Sequence, residues 1–317
     1  MAVEITTIGS ATRDIFLVPE QVKVIKGDKV TCQQLMAFEY GAKIQARELR
    51  DLVGGTAVNV SVGLERQGIE AAAYLAVGDD EAGKKVIDVL DREGVSRSLV
   101  EQKKGAMTDV SLIIIDKGTG ERTIFLKKGA GREKDIDWKK ITSQCVYLSS
   151  LRDDWGNKIK IAGEFVKNSS RRLFFTPAAP QIQAGMEKMK DFLNKVEVIF
   201  MNEDEALEFS GQKEKIQIGR MIKEIWQAGP KVAVITKGDQ GVYFYQGKET
   251  GYAPSRKVSA KDVTGAGDAF VSGFLAKYLR GAALKEAAEN GIDNAVSVIQ
   301  KIGAIQGLIK SKDKDGK

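Results

Sequence analysis

The chain has 317 residues, 43% of them hydrophobic and 29% charged, and its 49 basic against 43 acidic side chains leave a formal net charge of +6. This composition is that of a soluble globular protein large enough for one substantial α/β domain or two. The basic excess is mild, spread along the chain and without a basic arm interleaved with aromatics, which argues against nucleic acid as a partner and favours anionic small molecules.

No apolar run approaches the roughly 18 residues of a membrane span, and no cleavable signal pattern opens the chain, so no membrane partner and a cytoplasmic location are expected. Histidine is absent altogether. A serine–histidine–acid triad, a histidine general base and the common histidine zinc sites are therefore excluded. Cys32 and Cys145 stand far apart and outside any CxxC pair, which predicts free, buried or half-buried thiols. Any catalysis rests on carboxylates, lysines, backbone dipoles or a bound metal.

In chain order, the apolar run from Val3 to Gly9 predicts a buried first strand. The segment through Arg50 is mixed, with alternation at Val22, Val24 and Val30 that suits short surface strands. Gly54-Gly55-Thr56 then opens a helix carrying Val60 and Leu64 and ending near Gln67-Gly68. Ala71 to Val77 reads as a strand and Glu81 to Arg92 as a helix. Val110–Ile115 and Thr123–Leu126 flank Asp116-Lys117-Gly118-Thr119-Gly120-Glu121, the chemistry of a hairpin turn, expected outside the main sheet.

Further strands are predicted at Val146–Ser149, Leu173–Thr176, Val196–Met201 and Val232–Thr236, separated by helical patterns. Val242–Tyr245 with a partner near Thr250 forms a late hairpin, Ala283 to Lys301 a closing helix, and the lysine-rich tail after Gly307 is expected to fray. Alternating strands and helices imply a parallel, doubly wound sheet, whose ligands gather beyond the carboxyl ends of its strands.

The stretch Asp262-Val263-Thr264-Gly265-Ala266-Gly267-Asp268-Ala269-Phe270 joins two acids to a glycine-rich turn at the start of an apolar helix marked by Val271, Phe274, Leu275, Tyr278 and Leu279. The unpaired N–H groups of a first helical turn and the positive end of the helix dipole suit an anionic phosphate, and Gly265, Ala266 and Gly267 let the backbone approach one closely. A carboxylate at Asp268 would be repelled by that phosphate, so its place there makes sense as a base that takes a proton from an attacking hydroxyl. The plainer alternative is a glycine turn with an acid against the helix dipole.

Two more polar clusters end predicted strands. Asn202-Glu203-Asp204-Glu205 could hold Mg²⁺ through water, or Asn202 and Glu205 could form a capping box. Thr236-Lys237-Gly238-Asp239-Gln240-Gly241 offers donors to phosphate, or is a simple loop. Gly78 to Lys85 nearly spells a phosphate-binding P-loop, but Lys85 stands where Ser or Thr is needed and Asp79, Asp80 and Glu81 would face the phosphates; it reads as a strand-to-helix turn. A dinucleotide-dependent oxidoreductase is disfavoured, because Gly9-Ser10-Ala11-Thr12 lacks the GxGxxG turn.

Together these motifs resemble the ribokinase-like, or PfkB, family of carbohydrate and nucleoside kinases. Asp262 to Asp268 resembles its C-terminal signature; Gly54-Gly55-Thr56-Ala57-Val58-Asn59 to Leu64, continued by Gln67-Gly68 and Val77 to Gly83, resembles its N-terminal one. The resemblance spans nearly the whole chain. It implies a single three-layer α/β/α domain over residues 1–317, with a mostly parallel doubly wound sheet and a small β-strand lid from about 15–50 and 106–128.

The resemblance further implies an ATP-dependent phosphotransferase acting on a hydroxyl of a sugar, sugar acid or nucleoside. Asp268 would be the base, with Gly265, Ala266 and Gly267 as the anion hole. Asn202 and Glu205 would order Mg²⁺ and the phosphates, Glu205 through water. Thr236, Lys237, Gly238 and Gly241 would line the nucleotide, and Asp14, Gly54, Gly55 and Asn59 would hold the acceptor. Asp262 and Thr264 match positions used around an activating K⁺, although Val263 departs from the polar residue usual between them. Asp109 or Lys127 could touch the acceptor, Arg122-Thr123-Ile124 is similar to relatives that handle sugars or sugar acids, and an apolar lid face could support a homodimer. The alternative within the same fold is a catalytically inactive, nucleotide- or sugar-binding regulator.

Overall fold

The computed structural model describes residues 3–29, 32–131, 136–151, 153–212, 217–248 and 250–311. The side chains of residues 27–33 lie outside the described set, and with them the expectations for Val30 and the Cys32 thiol; Cys145 is free and buried. In chain order the elements begin with β1 (Ile5–Ile8), β2 (Thr12–Pro19), β3 (Lys23–Lys29), β4 (Cys32–Ala37), β5 (Ala46–Gly54), α1 (Thr56–Arg66), β6 (Ala71–Gly78) and α2 (Glu81–Glu93). There follow β7 (Val100–Lys103), β8 (Asp109–Ile115), β9 (Arg122–Lys127), β10 (Cys145–Ser149), α3 (Trp155–Lys167), β11 (Arg172–Thr176), α4 (Ala179–Ala184), α5 (Lys190–Leu193) and β12 (Val198–Asn202). The chain closes with α6 (Glu203–Phe209), α7 (Ile218–Gln227), β13 (Val232–Thr236), β14 (Val242–Tyr245), β15 (Gly251–Ala253), α8 (Ala266–Tyr278) and α9 (Leu284–Ile299).

The main sheet has nine strands in the order β15-β14-β13-β12-β11-β10-β1-β6-β7, parallel from β13 to β7 and antiparallel at the β13–β14–β15 edge. Its central strands are apolar on both faces because helices cover both. Val146, Leu148, Leu173, Phe175, Ile199 and Ile235 pack with α3, α6 and α7 on one side. Their alternates Tyr147, Phe174, Val198, Phe200 and Val234 pack with α1, α8 and α9 on the other. This is the three-layer α/β/α arrangement that the alternating pattern implies. The edge strand β7 was not read from the sequence; its VEQK run is half-exposed and carries no apolar alternation.

A second sheet of four strands, in the order β5-β2-β8-β9, forms the lid. The β8–β9 hairpin stands outside the main sheet as expected, but β8 pairs in parallel with β2, Thr12 opposite Asp109 and Asp14 opposite Ser111. That long-range pairing sets the lid's register, and no local signal announces it. On the odd-numbered face of β9 and β5, Phe125 and Leu49 are 57% and 64% exposed. The hairpin β3–β4 forms its own two-stranded sheet.

The expected fraying after Gly307 does not hold as far as Ser311. Leu308 is buried, the Ile309 N–H donates to Asn294 Oδ1, the Ser311 N–H donates to the Arg66 carbonyl, and the Arg66 guanidinium donates back to the Ile305 and Leu308 carbonyls. The lysine content hid one apolar anchor, Leu308. Among the described residues no helix is long and apolar enough to cross a membrane.

Candidate active site

The carboxyl ends of β1 and β10, the starts of α1 and α8, and the inner face of the lid enclose a cavity of about 280 Å³. Asp14, Gly55, Asn59, Thr264, Gly265 and Asp268 all line it. The two glycine motifs, about 200 residues apart in sequence, meet here because α1 and α8 pack side by side on the same face of the sheet.

Gly265 caps α8 in the left-handed region, with φ 78°, and a Cβ on it would fall 2.4 Å from the Ala304 Cβ. Only glycine fits that turn. Gly267 differs, because nothing lies within 4 Å of where its Cβ would be; its small size leaves the helix end open. The Ala266 N–H reaches the Val263 carbonyl at 3.3 Å, so one amide of the predicted nest is already weakly engaged. Gly54 serves Asp14, whose Oδ2 lies 1.9 Å from the position of a Cβ there, and Gly55 turns the chain at φ 96° into α1.

Asp268 sits in the first turn of α8 at the cavity wall, where its Oδ2 accepts a hydrogen bond from Asn59 Nδ2 at 2.8 Å. Burial pushes its carboxyl up to about 6, Asn59 opposes the shift, and the charge of Glu205 adds to it. Asp14 is 4% exposed and accepts from the Thr12 hydroxyl at 2.6 Å; burial likewise raises it to about 6 against the Thr12 and Ser111 hydrogen bonds. The cavity thus holds two carboxyls with high proton affinity, one of them tethered by an amide. Asn59 is itself 4% exposed, lines the cavity, and has a buried Oδ1 with no partner among the described residues.

Asp262 is fully buried and accepts the Thr264 N–H and the Gly303 N–H, each at 2.9 Å, one on each carboxylate oxygen. It braces the turn that presents Gly265. The Thr264 hydroxyl oxygen is buried without a partner. A monovalent cation fits beside these oxygens in chemistry, since each carboxylate oxygen keeps a free lone pair. No cluster of three or more His, Cys, Asp or Glu able to hold a metal occurs among the described residues. A divalent ion would therefore be held as magnesium commonly is, by one or two carboxylates, waters and substrate phosphates.

The other predicted site residues form a separate group at the ends of β12 and β13, where Asn202 lies opposite Thr236. Asn202 and Glu205 make the reciprocal capping box: Asn202 Oδ1 accepts the Glu205 N–H at 2.8 Å and Glu205 Oε2 accepts the Asn202 N–H at 2.9 Å. Burial raises the Glu205 carboxyl. Lys237 pairs with Glu203 at 2.7 Å, and the loop folds through a tight turn, Gly238–Gln240, to Gly241, where a Cβ would fall 2.3 Å from the Ala253 carbonyl oxygen. None of these residues lines the cavity; Glu205 reaches it only through the field felt by Asp268.

At the lid side of the cavity the structure separates the two alternatives Asp109 and Lys127. Arg122, Ile124, Leu126 and Lys128 line the cavity, whereas Lys127 does not. Strand alternation turns even-numbered residues inward, so Lys127 points away. Asp109 does line it, with Oδ1 accepting from the Gly129 and Gly131 N–H groups at 2.8 and 3.0 Å.

A hydroxyl cluster was missed: Thr56 Oγ1 lies 2.9 Å from both Ser149 Oγ and Ser150 Oγ and 3.4 Å from Ser10 Oγ. Ser150 is in the left-handed region, φ 55°, uncommon for a residue with a side chain. The one hint in sequence was a pair of serines closing an apolar strand. The false P-loop is a turn, with Asp80 capping α2 through the Gly83 N–H and Lys85 paired with Asp51.

Comparison with known proteins bears on the family and the fold. Residues 21–311 match the family model described as pfkB family carbohydrate kinase. An uncharacterized sugar kinase of Archaeoglobus fulgidus is 29% identical over 262 residues, covering 80% of this chain and all of the relative. A cytidine kinase of Thermococcus kodakarensis is 38% identical over 117 residues, 36% of this chain and 41% of the relative. Among solved structures, the Arabidopsis thaliana ribokinase complexed with ribose and ATP superposes with a TM-score of 0.78 at 20% identity, covering 98% of this chain and 96% of its own. The Methanocaldococcus jannaschii nucleoside kinase gives 0.76 at 20% identity, covering 99% and 96%. The chain belongs to the pfkB family of carbohydrate kinases.

Proposed function

We propose that this pfkB-family kinase transfers the γ-phosphoryl group of ATP to a hydroxyl of a sugar, sugar acid or nucleoside, with Asp268 as the general base. The observation that carries this reading is the tethered Asp268 carboxyl, held by Asn59 at the N-terminal end of α8 with its proton affinity raised to about 6. Such a group is ionised at neutral pH yet basic enough to take a proton in the transition state. The attacking hydroxyl lies against Asp268, with Asp14 and Asn59 Oδ1 receiving neighbouring hydroxyls. As the proton moves to the carboxylate, the hydroxyl oxygen meets the terminal phosphorus in line, and charge on the transferring group falls against the N–H groups of Gly265, Ala266 and Gly267.

Asn202, Thr236, Lys237, Gly238 and Gly241 hold the nucleotide. Glu205 would hold Mg²⁺ through water, and Asp262 with Thr264 would hold K⁺; these ions supply positive charge against the phosphates. The decisive measurement is phosphoryl transfer by Asp268→Asn beside its nucleotide affinity. Transfer is expected to fall about 10²–10⁴-fold with affinity unchanged. Undiminished transfer would remove Asp268 from the mechanism, and nucleotide binding without turnover by the unaltered protein would make the chain a regulator.

A further inference from the structure

We infer that the acceptor taken by this cavity carries an anionic group, a carboxylate or a phosphate, held by Arg122 and Lys128 of the lid. The inference rests on the phosphoryl-transfer reading above and names the class of acceptor. Both side chains line the cavity, and both are half-buried. Neither has an ion-pair or hydrogen-bond partner among the described residues, and the Arg122 Nε is buried with no acceptor at all.

The acids of the cavity do not account for them. Asp109 is satisfied by the Gly129 and Gly131 N–H groups, Asp14 by Thr12, and Asp268 by Asn59, and the fourth acid of the lining, Asp153, is exposed and forms no ion pair with either cation. Between the cations, on the same face of the strand, stand Ile124 and Leu126, 46% and 40% exposed, with Ile113 of β8 also lining the wall. A guanidinium set in an apolar wall without a counter-ion loses hydration that only a ligand anion restores. Other half-buried arginines among the described residues are satisfied, Arg66 by Glu93, Arg172 by Glu197 and Arg171 by the Ser143 and Ile141 carbonyls.

Arg122 opens β9 and Lys128 follows its last residue, a strand's length of up to about 20 Å between the two backbones, so the cations address an acceptor from opposite ends. Arg122 offers a planar fork suited to carboxylate or phosphate, whereas Lys128 is a point charge. The anion therefore belongs chiefly to Arg122, with Lys128 adding to the field. The acceptor's C–H edges cover Ile124 and Leu126.

The test uses the full chain with ATP and Mg²⁺ and three matched pairs of acceptors differing in the anion: D-gluconate with D-sorbitol, D-fructose 6-phosphate with D-fructose, and D-ribose 5-phosphate with D-ribose. In at least one pair the anionic member is expected to show a kcat/KM about ten- to a hundredfold higher, the scale of one charge-assisted hydrogen bond. Arg122→Ala should erase that preference while sparing the neutral member, Arg122→Lys should restore part of it, and the outward-facing Lys127→Ala should leave it intact. The pair that responds tells carboxylate from phosphate.

Equal or better turnover of the neutral member in every pair overturns the inference, as does an Arg122→Ala loss shared by both members, which would place the guanidinium on the transferring group. Calorimetric binding of the same pairs separates this from failure of the kinase reading. Tighter binding of an anionic member without turnover of any acceptor keeps the inference and sinks the mechanism.

Discussion

The proposed acceptor end and the proposed nucleotide end of this molecule are built differently. At the acceptor end, Asp14, Asn59 and Asp268 are held by contacts between distant segments, and two carboxyls are pushed to about 6 by burial. At the nucleotide end, Asn202, Glu205 and Lys237 are satisfied by near neighbours, through a capping box and one ion pair. The acceptor end thus carries stored cost in the form of desolvated acids and an unpartnered Asn59 Oδ1. The nucleotide end carries less: burial raises Glu205 too, but its carboxylate accepts the Asn202 N–H. On the proposed function, the preorganised, partly unsatisfied surface does the chemistry and the locally satisfied one binds.

The strongest way to break this contrast is at Gly265. Gly265→Ala drives a Cβ to 2.4 Å from that of Ala304 at a left-handed φ. Displacing the amides of the turn should lower kcat by about 10²–10³-fold, the loss typical of one anion-hole donor. Gly267→Ala, with open space, should fold as well as the unaltered protein. Steady-state kinetics and thermal melting of the two variants check both; equal activity in Gly265→Ala would mean that the turn holds no charge.

Next in size is the pH response of the acceptor end. Asp268 must be ionised to act as a base, and with its carboxyl raised to about 6, kcat/KM should fall tenfold for each pH unit below that value. Stability runs the other way. A carboxyl raised on folding binds its proton more tightly in the native state, so its favourable contribution is full below the unfolded value near 4 and is lost as pH rises through about 6. Asp268→Asn should therefore stabilise the protein at pH 8 by about 1–3 kcal/mol and have no advantage near pH 4. Urea unfolding at the two pH values checks the sign; a destabilised variant at pH 8 would show that the Asn59 bond outweighs burial.

The smallest effect is expected at the nucleotide end. Glu203→Gln frees Lys237 from a partly exposed pair, and such pairs are worth at most about 1 kcal/mol. The KM for ATP should change no more than a few-fold, and that for the acceptor not at all. A large acceptor effect would mean that the two ends are coupled.

Much of this was readable because it is local. Asp262 to Asp268 declared a turn and a helix start within nine residues of Phe270, and Asn202 with Glu205 declared a cap three residues apart, each a matter of backbone dihedrals and near hydrogen bonds. Between Asp109 and Lys127 the sequence could not choose, because a strand's inward parity depends on its register, and β9 takes its register from β8 and hence from β2. The serine cluster went unseen because Ser10, Thr56 and Ser149 come from three segments.

Taken alone, the order of residues determined the alternation of strands and helices, the turns that demand glycine and the family motifs, since these depend on neighbours within a few positions. Tertiary structure alone decided that Asn59 would tether Asp268 across 209 positions, that burial would raise Asp14 and Asp268, and that Arg122 and Lys128 would line the cavity without partners among the described residues. Proton affinity and charge pairing follow from solvent exclusion and from distances in space, and those exist only once the sheet, its helices and the lid have closed on one another.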